Sequence, residues 1–446
     1  MGFVLIAFVV RVMFLDLSLL AFLAILISIY QFSLLFISIG HIIPTRHLLG
    51  SFMCIQFFVG PTMVYNGLEK YQYFMYRMRI PESQYLEYVL PAVCLFIVGL
   101  HLNAGKYRGE VVNRKAIEFF TRENPKLPYL FIIIGFLASV ISSYFGSELG
   151  FVFYLLGSFK FIGLFLLVLG TKQIKPLTLA VILGSILSSS LSSGMFHDLL
   201  TWLVYISAVF AIKYKFDFKI KMIGLSAFVL IVVIIQALKG TYRAEIGRGQ
   251  AEEGTAAFEK AYQEKDQEGG IFTFSSLASN VTRINQGFII TNIMVTVPDI
   301  VPFADGEEMD KILEAAIMPR IFAPNKLKAG DRSIFVKYSH IPLSQGTSMG
   351  LSSIGDAYVN YGVFGGVIFM FILGCFYCEV LNSFNKNSLK YPVLILFVPL
   401  VFYYPIRPDC ELQTILTHLV KSCVLIFALM QMWKYQFRVY YNFNSE

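Results

Sequence analysis

Long uninterrupted apolar runs constrain this chain more than any other feature of its sequence. Of its 446 residues, 56% are hydrophobic and only 15% are charged. A helix needs about 20 mainly apolar residues to cross the hydrocarbon core of a bilayer, and runs near this length recur from Met1 almost to the last residue. The sequence therefore predicts an all-α, polytopic membrane protein with about twelve transmembrane helices. The predicted cores are 1–15, 17–39, 48–64, 88–102, 127–145, 149–170, 176–194, 197–212, 222–238, 361–381, 391–405 and 413–433.

The lysines and arginines predict how this bundle is oriented. If the N-terminus is cytoplasmic, seventeen cations fall in inner segments and four in short outer loops. The inner ones are Arg46, Lys106, Arg108, Arg114, Lys115, Arg122, Lys126, Lys172, Lys175, Lys213, Lys215, Lys219, Lys221, Lys386, Lys390, Lys434 and Arg438, and the outer ones are Lys70, Arg77, Arg79 and Arg407. Because cytoplasmic segments are enriched in lysine and arginine, both termini are predicted to be cytoplasmic. The net charge of +7 is then explained without a nucleic-acid partner.

This orientation divides the chain into three parts. Residues 1–238 form a bundle of about nine helices, and residues 361–446 form a bundle of about three helices with a short cytoplasmic tail. Residues 239–360 lie between them as one large external loop, which is too long for a simple connection and is predicted to form a partly helical cap.

Local patterns predict what this loop contains. "AEEGTAAFEKAYQEKDQEGG" predicts a solvated helix that ends at Gly269-Gly270, and "SSLASNVTRINQGFIITNIMVTVP" predicts a half-buried helix that ends before Pro298. The small and polar residues of "GTSMGLSSIGDAYVNYGVFGG" predict irregular or re-entrant backbone that lines a protein cavity.

A basic stretch between residues 314 and 340 is unusual in so apolar a chain. It contains Arg320, Lys326, Lys328, Arg332 and Lys337, against the single acid Asp331 after Glu314. Arginine presents a planar fork that pairs two phosphate oxygens at once, whereas lysine presents a point charge. Arg320, Arg332 and Lys328 are therefore candidates for binding a diphosphate at the membrane surface. The alternative is a solvated face that balances the acidic first half of the loop.

Two further arginines are candidates for binding an anionic substrate. Arg243 directly follows a predicted span, at the depth of lipid headgroups, where it either binds a lipid-linked ligand or reaches towards water as an interfacial arginine. Arg283 lies on a helix with an apolar face and needs a partner, which is either a ligand or a carboxylate of the protein.

Candidate bases are also few. Asp356, between Gly355 and Ala357, either accepts a proton during catalysis or caps a helix N-terminus. His340, at the end of the basic stretch, is a second candidate, although a single loop histidine is often a bystander. The pair His197-Asp198 faces the same cavity or caps the eighth predicted span.

Several classes of chemistry are not supported by the sequence. It has no Walker A motif, no G-x-G-x-x-G after a strand and no H-E-x-x-H. Cys375 and Cys378 form a C-x-x-C inside an apolar run, where small packing residues are expected rather than redox chemistry or a zinc site.

The order of motifs between residues 295 and 366 resembles the Wzy-type oligosaccharide repeat-unit (O-antigen) polymerases of bacterial surface polysaccharides. The shared elements are an x-P-R-x-x-x-P-x-K step from Met318 to Lys326, the pair Thr347-Ser348, and a G-[E/D]-x-Y-x-N-x-G box. The box is filled by Gly355, Asp356, Tyr358, Asn360 and Gly362.

This resemblance implies an activity. Members of the family are glycosyltransferases that move a growing glycan from undecaprenyl diphosphate to the next lipid-linked repeat unit, on the outer side of the bacterial inner membrane. The resemblance implies no cofactor and no metal, so Arg320 and Arg243 would contact the diphosphate, and Asp356 or His340 would deprotonate the acceptor. Tyr358 and Asn360 would join the glycan site, and membrane lipids, a flippase and a chain-length regulator are the expected partners.

One part of the sequence departs from the family pattern. Many members have an arginine in an S-R-G-like pattern in the outer turn that here reads Ser193-Gly194-Met195-Phe196-His197. Either His197 substitutes for that arginine or the phosphate site is built differently in this chain.

Other functions remain open from the sequence alone. An O-antigen ligase would use a similar donor with a different acceptor. A flippase or transporter of the lipid-linked oligosaccharide would need no bond formation, but such proteins usually have ionisable residues in mid-span, and few are found here. A purely structural membrane partner is a further alternative.

Overall fold

The computed structural model describes residues 17–107, 110–144, 147–193, 196–247, 255–267, 269–320, 322–330, 332–343 and 349–437. Within these ranges the chain forms helices and no β-strand, so the predicted all-α class is confirmed. The helices up to the loop are α1 Leu19–Ser38, α2 Thr45–Cys54, α3 Gly60–Met63, α4 Glu82–His101, α5 Arg114–Glu123, α6 Leu127–Ile141, α7 Ser147–Gly157, α8 Phe159–Gly170, α9 Pro176–Ser193, α10 His197–Tyr214 and α11 Phe218–Gly247. The remaining ones are α12 Thr255–Gln267, α13 Phe274–Ile284, α14 Gly287–Thr296, α15 Glu307–Ile317, α16 Arg332–Ser339, α17 Ser352–Ser388, α18 Val398–Val401 and α19 Leu412–Phe437.

Seven helical segments in the described ranges are long and apolar enough to cross a membrane, or eight if α5 and α6, which are bent by 85°, form one span. The seven are Leu19–Ser38, Thr45–Tyr71, Glu82–His101, Gly150–Gly170, Phe218–Lys239, Ser352–Ser388 and Leu412–Trp433. The chain is thus a helical membrane protein with seven candidate spans, where the sequence predicted about twelve.

The difference between the seven candidate spans and the twelve or so predicted ones comes mainly from the length of the helices. The first predicted core, 1–15, lies outside the described residues. The predicted cores 176–194 and 391–405 correspond to the shorter apolar helices Pro176–Leu191 and Pro392–Val401. At about 1.5 Å per residue, the longer of these two rises about 24 Å, which is less than the hydrocarbon thickness of about 30 Å.

The central contact of the bundle is between α4 and α17, which run parallel with their backbones touching. A Cβ atom on Gly99 would lie 2.5 Å from the carbonyl oxygen of Phe371, and one on Gly374 would lie 2.2 Å from the carbonyl oxygen of Phe96. No real side chain fits at these distances, so only glycine permits this approach. Small residues at such contacts are typical of helix packing in membranes, where close van der Waals contact replaces the hydrophobic effect.

One end of this helix pair is held by Arg46, which is buried. Its Nε donates to Glu110 Oε1 at 2.7 Å, and its two Nη atoms donate to the Leu100 carbonyl at 2.6 Å and to Asn382 Oδ1 at 2.8 Å. A buried ion pair is stable only when its remaining donors are also satisfied, and here they are. This end is called the Arg46 end below.

The opposite end, called the loop end below, is where α4, α17 and α19 begin. The turn that precedes α4 meets helix α14 there, because the backbone N–H of Arg79 donates to Thr291 Oγ1 at 3.2 Å. Segments predicted to lie on one side of the membrane therefore meet at one end of the bundle.

Within residues 239–360, the structure confirms some local predictions and corrects others. Helix α12 ends at Gln267, and Gly269 and Gly270 follow with positive φ, as predicted. The predicted helix before Pro298 is instead two helices, α13 and α14, because the backbone is not helical at Asn285. The predicted irregular backbone is helical from Ser352 onwards, with one break at Gly362, where φ is 65°.

The glycine contact between α4 and α17 gives a stability prediction. Gly374→Ala should lower the free energy of unfolding by about 1–3 kcal/mol, because the new methyl group forces two packed backbones apart. Gly224→Ala is the matched control, since a Cβ there would meet nothing within 4 Å. Unfolding of the purified protein in mixed detergent micelles measures both. Equal stability of the two variants would contradict the proposed interlock.

Candidate functional site at the loop end

The G-D-x-Y-x-N-x-G box forms the first turns of α17, and its polar side chains hold neighbouring segments in place. Asn360 is buried, its Oδ1 accepts from the backbone N–H of Met309 at 3.0 Å, and its Nδ2 donates to the Asp356 carbonyl at 2.8 Å. Met309 lies in the first turn of α15, where backbone N–H groups have no partner within their own helix. Asn360 therefore caps α15 from outside that helix.

Asp356 plays the same part for α19. Its Oδ2 accepts from the backbone N–H of Leu412, the first residue of α19, at 2.9 Å, and its side chain is buried. A carboxylate at this position also interacts favourably with the positive end of the helix dipole. The capping role foreseen for Asp356 is thus present, but the capped helix lies 56 residues along the chain.

Tyr358 ties the box to the segment between α14 and α15. Its hydroxyl donates to the Val297 carbonyl at 3.3 Å, and its ring packs against Tyr88 and Phe303 at centroid distances of 5.1 and 5.8 Å. The Val359 carbonyl accepts from the backbone N–H of Ala304 at 2.9 Å. These bonds fix residues 297–309 against the start of α17.

The cations of the basic stretch differ in what they contact. Lys326 donates to the carbonyls of Ala315, at 3.0 Å, and Met318, and so caps the C-terminus of α15. Lys337 donates to Glu308 Oε1 at 3.3 Å and to the Tyr338 hydroxyl at 2.8 Å. These two lysines therefore stabilise the fold of the loop.

Electrostatics agree with the structural role of Lys337. Its hydrogen bond to Tyr338, followed by the nearby Glu308 carboxylate, raises the pKa of Lys337 above its ordinary value. Glu308 is buried and also pairs with Lys311 at 3.2 Å. The sequence analysis did not single out Glu308, and the only local signal is its position in the first turn of α15, where acids favour the helix dipole.

The cations of the basic stretch that were predicted to bind substrate are Arg332, Arg320 and Lys328. Arg332 begins α16 and donates through Nη2 to the Leu343 carbonyl, while its Nε is buried with no hydrogen-bond partner among the described residues. Arg320 is half-buried in the turn after α15, and Lys328 is exposed. The backbone N–H of Gly330 donates to Glu411 Oε1 at 2.6 Å, which attaches this stretch to the residue before α19.

Glu411 is a second carboxylate that sequence reasoning missed. Besides Gly330, it accepts from the Thr414 hydroxyl at 2.6 Å, and a Cβ on Gly350 would lie 2.5 Å from its backbone nitrogen. Gly330 and Gly350 are distant from it in the sequence, so no local pattern marks these contacts.

The other predicted residues are more dispersed. Arg283 is exposed, and its Nη1 donates to the Gln236 carbonyl of α11 at 2.9 Å, so its partner is a backbone group rather than the expected carboxylate. Arg243 lies on α11, but its side chain is outside the described residues, as are Thr347 and Ser348. His340 is exposed and ends α16 in a left-handed conformation with φ of 52°.

The pair His197-Asp198 begins α10 and reaches the turn before α19. Asp198 Oδ1 accepts a hydrogen bond from the Tyr403 hydroxyl, and the His197 ring lies 6.0 Å from that of Tyr403. His197 Nε2 is 3.2 Å from Thr201 Oγ1 on its own helix. This pair therefore lies at the loop end, and its role stays a prediction.

The loop end gathers several of the predicted site residues. It brings Asp356, Arg332, Lys328 and His340 onto segments that are hydrogen-bonded to one another or adjacent in sequence. Within the described ranges, no group of three His, Cys, Asp or Glu residues is arranged to hold a metal ion.

The capping contact of Asp356 predicts different effects for two substitutions. Asp356→Ala removes the acceptor of the Leu412 N–H and should lower the free energy of unfolding by about 0.5–2 kcal/mol. Asp356→Asn keeps an oxygen acceptor in a side chain of the same shape. It should therefore lower the free energy of unfolding by clearly less. Unfolding of both variants in mixed micelles checks this. If alanine and asparagine destabilise equally, the Asp356–Leu412 bond is not what the carboxyl group contributes.

Comparison with known proteins places the chain in a family without assigning an activity. No curated protein and no solved structure matches the sequence. One family model, described as "Domain of unknown function (DUF8712)", matches residues 42–390. This range contains the α4–α17 pair, the loop and the G-D-x-Y-x-N-x-G box. Since the match covers well over half of the chain, the protein belongs to the DUF8712 family.

Proposed function

We propose that the protein is a Wzy-type glycosyltransferase that polymerises undecaprenyl-diphosphate-linked oligosaccharide repeat units into a surface polysaccharide, an O-antigen or an exopolysaccharide. The observation that carries the proposal is the convergence of the motif box, the basic stretch and the start of α19 at one end of an apolar bundle. Asp356 and Glu411 connect these segments through hydrogen bonds to Leu412 and Gly330. A lipid-linked substrate needs this combination of an apolar surface for its tail and a polar, cationic site beside it.

The proposed orientation has residues 239–360 on the outer side of a bacterial inner membrane and both termini in the cytoplasm, which requires an even number of spans, such as the twelve that the sequence predicts. The separation of the two ends supports it. Arg46, Arg114 and Lys213, all predicted to be cytoplasmic, contact neighbours at the Arg46 end, where Arg114 Nη1 donates to the Lys213 carbonyl at 2.9 Å. The loop contacts the turns predicted to be external.

The reaction would join the acceptor to the donor by displacement at the anomeric carbon. The acceptor sugar hydroxyl attacks this carbon, the bond to the diphosphate oxygen breaks, and the hydroxyl proton passes to a base. Undecaprenyl diphosphate leaves with the bonding electrons, and Arg320, Arg332, Lys328 and Arg243 would stabilise its added negative charge.

His340 is the better placed of the two candidate bases. It is exposed at the end of the basic stretch, whereas the Asp356 carboxylate is buried and engaged with Leu412. Asp356 then acts as a positioning residue that fixes α17 against α19. Tyr358 and Asn360, which are also buried, would shape the glycan site rather than touch the reacting atoms.

Polymerisation by the purified protein tests the proposal. The full chain in proteoliposomes, supplied with undecaprenyl-diphosphate-linked repeat units, should produce a ladder of glycans. His340→Ala should slow it by about a hundredfold or more, and Arg320→Ala by about a hundredfold. Arg122→Ala, an exposed arginine at the Arg46 end, is the matched control and should leave the ladder unchanged.

The products also separate the alternative functions. Single transfers without elongation would identify a ligase, and translocation of the donor without a new glycosidic bond would identify a transporter. An unchanged ladder from Arg320→Ala would exclude that residue from the site.

Reporter fusions test the orientation. Alkaline phosphatase, which folds only outside the cytoplasm, should be active when fused near Lys328 and inactive when fused near Lys390, and a fluorescent protein that requires the cytoplasm should show the reverse. An inactive phosphatase together with a fluorescent reporter at Lys328 would rule out an external site.

A further inference from the structure

Arg407, in the turn before α19, has a guanidinium group that the described residues leave without a hydrogen bond. Its side chain is only 21% exposed, and its Nε is enclosed without a partner. The nearest carboxylate oxygen, Asp409 Oδ2, is 3.9 Å from Nη2, beyond hydrogen-bond distance. The guanidinium instead lies over the Tyr404 ring, 5.2 Å from its centroid.

Such an arrangement is unfavourable unless another molecule completes it. Withdrawing an N–H donor such as the Arg407 Nε–H from water without a new hydrogen bond costs free energy. The same chain shows the satisfied case at Arg46, whose donors reach Glu110, the Leu100 carbonyl and Asn382. Arg407 is largely buried, but its one carboxylate contact among the described residues is the long one to Asp409.

The surroundings of Arg407 indicate what would complete it. Tyr404 also packs against the His418 ring at 4.9 Å, and His418 Nδ1 is buried without a described partner. Neither nearby carboxylate accepts a hydrogen bond from Arg407 among the described contacts. Asp198 accepts from the Tyr403 hydroxyl, and Asp409 Oδ2 is too distant.

The depth of this site in the membrane selects the class of anion. Arg407 is five residues before Leu412, where a candidate span begins, and that distance corresponds to the headgroup layer. Phosphate is the anion that lipids present at this depth, and a planar guanidinium pairs two of its oxygens at once.

We propose that Arg407, stacked on Tyr404, binds the phosphate group of a membrane lipid at the loop end. The chemistry is that of a phosphate mono- or diester, supplied either by a polyprenyl diphosphate or by a phospholipid headgroup. Only the choice of the polyprenyl diphosphate rests on the proposed glycosyltransferase function; the phosphate site itself does not.

Binding by the full-length protein in nanodiscs tests the site. Three probes are titrated and their retention followed by native mass spectrometry: undecaprenyl diphosphate in phosphatidylcholine discs, phosphatidylglycerol in the same discs, and inorganic pyrophosphate. The wild type should retain at least one of them. Arg407→Gln should weaken that binding by about tenfold to a hundredfold, the range for lost hydrogen bonds to a charged group.

The matched control is Arg77→Gln. Arg77 also lies over an aromatic ring, 5.0 Å from the centroid of Phe74, in the turn before α4, but it is exposed. Its loss should leave binding unchanged. Arg407→Lys keeps the charge without the fork and should weaken binding by only about threefold to tenfold, so it tests the site even if the glutamine variant does not fold.

A measurement on the wild type removes any dependence on variant folding. A photoreactive group next to the phosphate of the retained probe should label peptides that contain residues 402–411. Labelling elsewhere, or binding of all three probes that is indifferent to Arg407, would overturn the proposal.

The probes distinguish this proposal from the glycosyltransferase function. Arg407-dependent binding of phosphatidylglycerol alone would establish a phosphate site that holds a structural lipid. Arg407-dependent binding of undecaprenyl diphosphate without glycan ladders would support the site and contradict the polymerase. If Arg407→Gln binds undecaprenyl diphosphate as the wild type does and still makes glycan ladders, the polymerase is supported and the Arg407 site is contradicted.

Discussion

The contact between the backbones of α4 and α17 is the constraint on which the rest of the structure depends. At Gly99 and Gly374 each helix occupies the space that a side chain of the other would need. Because the two helices are parallel and this close, whatever is attached to the ends of α17 is fixed relative to α4. Arg46 binds across the pair at one end through Leu100 and Asn382, and the motif box begins at the other.

The start of α17 then organises the loop end by supplying caps to helices that have none of their own. Asn360 accepts from the first turn of α15 and Asp356 from the first residue of α19. Backbone N–H groups buried at helix ends must find acceptors, so these two side chains determine where both helices start. The exposed cations of the basic stretch are thereby held on elements of fixed position, which a binding site requires.

The sequence predicted helices and a membrane environment because apolar runs report both directly. It predicted about twelve spans where the described residues contain seven candidates, because hydropathy does not show that the helices Pro176–Leu191 and Pro392–Val401 are short. It predicted irregular backbone around Ser352 from small polar residues, yet in membrane proteins such residues also allow helices to pack closely. Gly362 alone breaks α17, and its positive φ is a conformation for which glycine is suited.

The candidate site could be predicted as a list of residues but not as a set of contacts. Asp356 was identified with a capping role as one alternative, but its partner Leu412 is remote in sequence. Arg407 was one of four outer cations, and nothing in its local sequence separates it from Arg77. The departure at the turn before His197 left two possibilities, and the choice between them stays a prediction.

The density of positive charge is therefore a poor guide to where an anion binds in this protein. Lys326 and Lys337 belong to the most basic stretch of the chain, yet carbonyls, Glu308 and Tyr338 already occupy their donors. A cation whose donors are used by the fold gains little from a ligand, because binding would only exchange one hydrogen bond for another. Arg407, in a stretch that is not notably basic, has an Nε–H that is enclosed without a hydrogen-bond acceptor among the described residues. Ligand affinity should follow the donors that folding leaves unsatisfied, which tertiary structure reveals and composition does not.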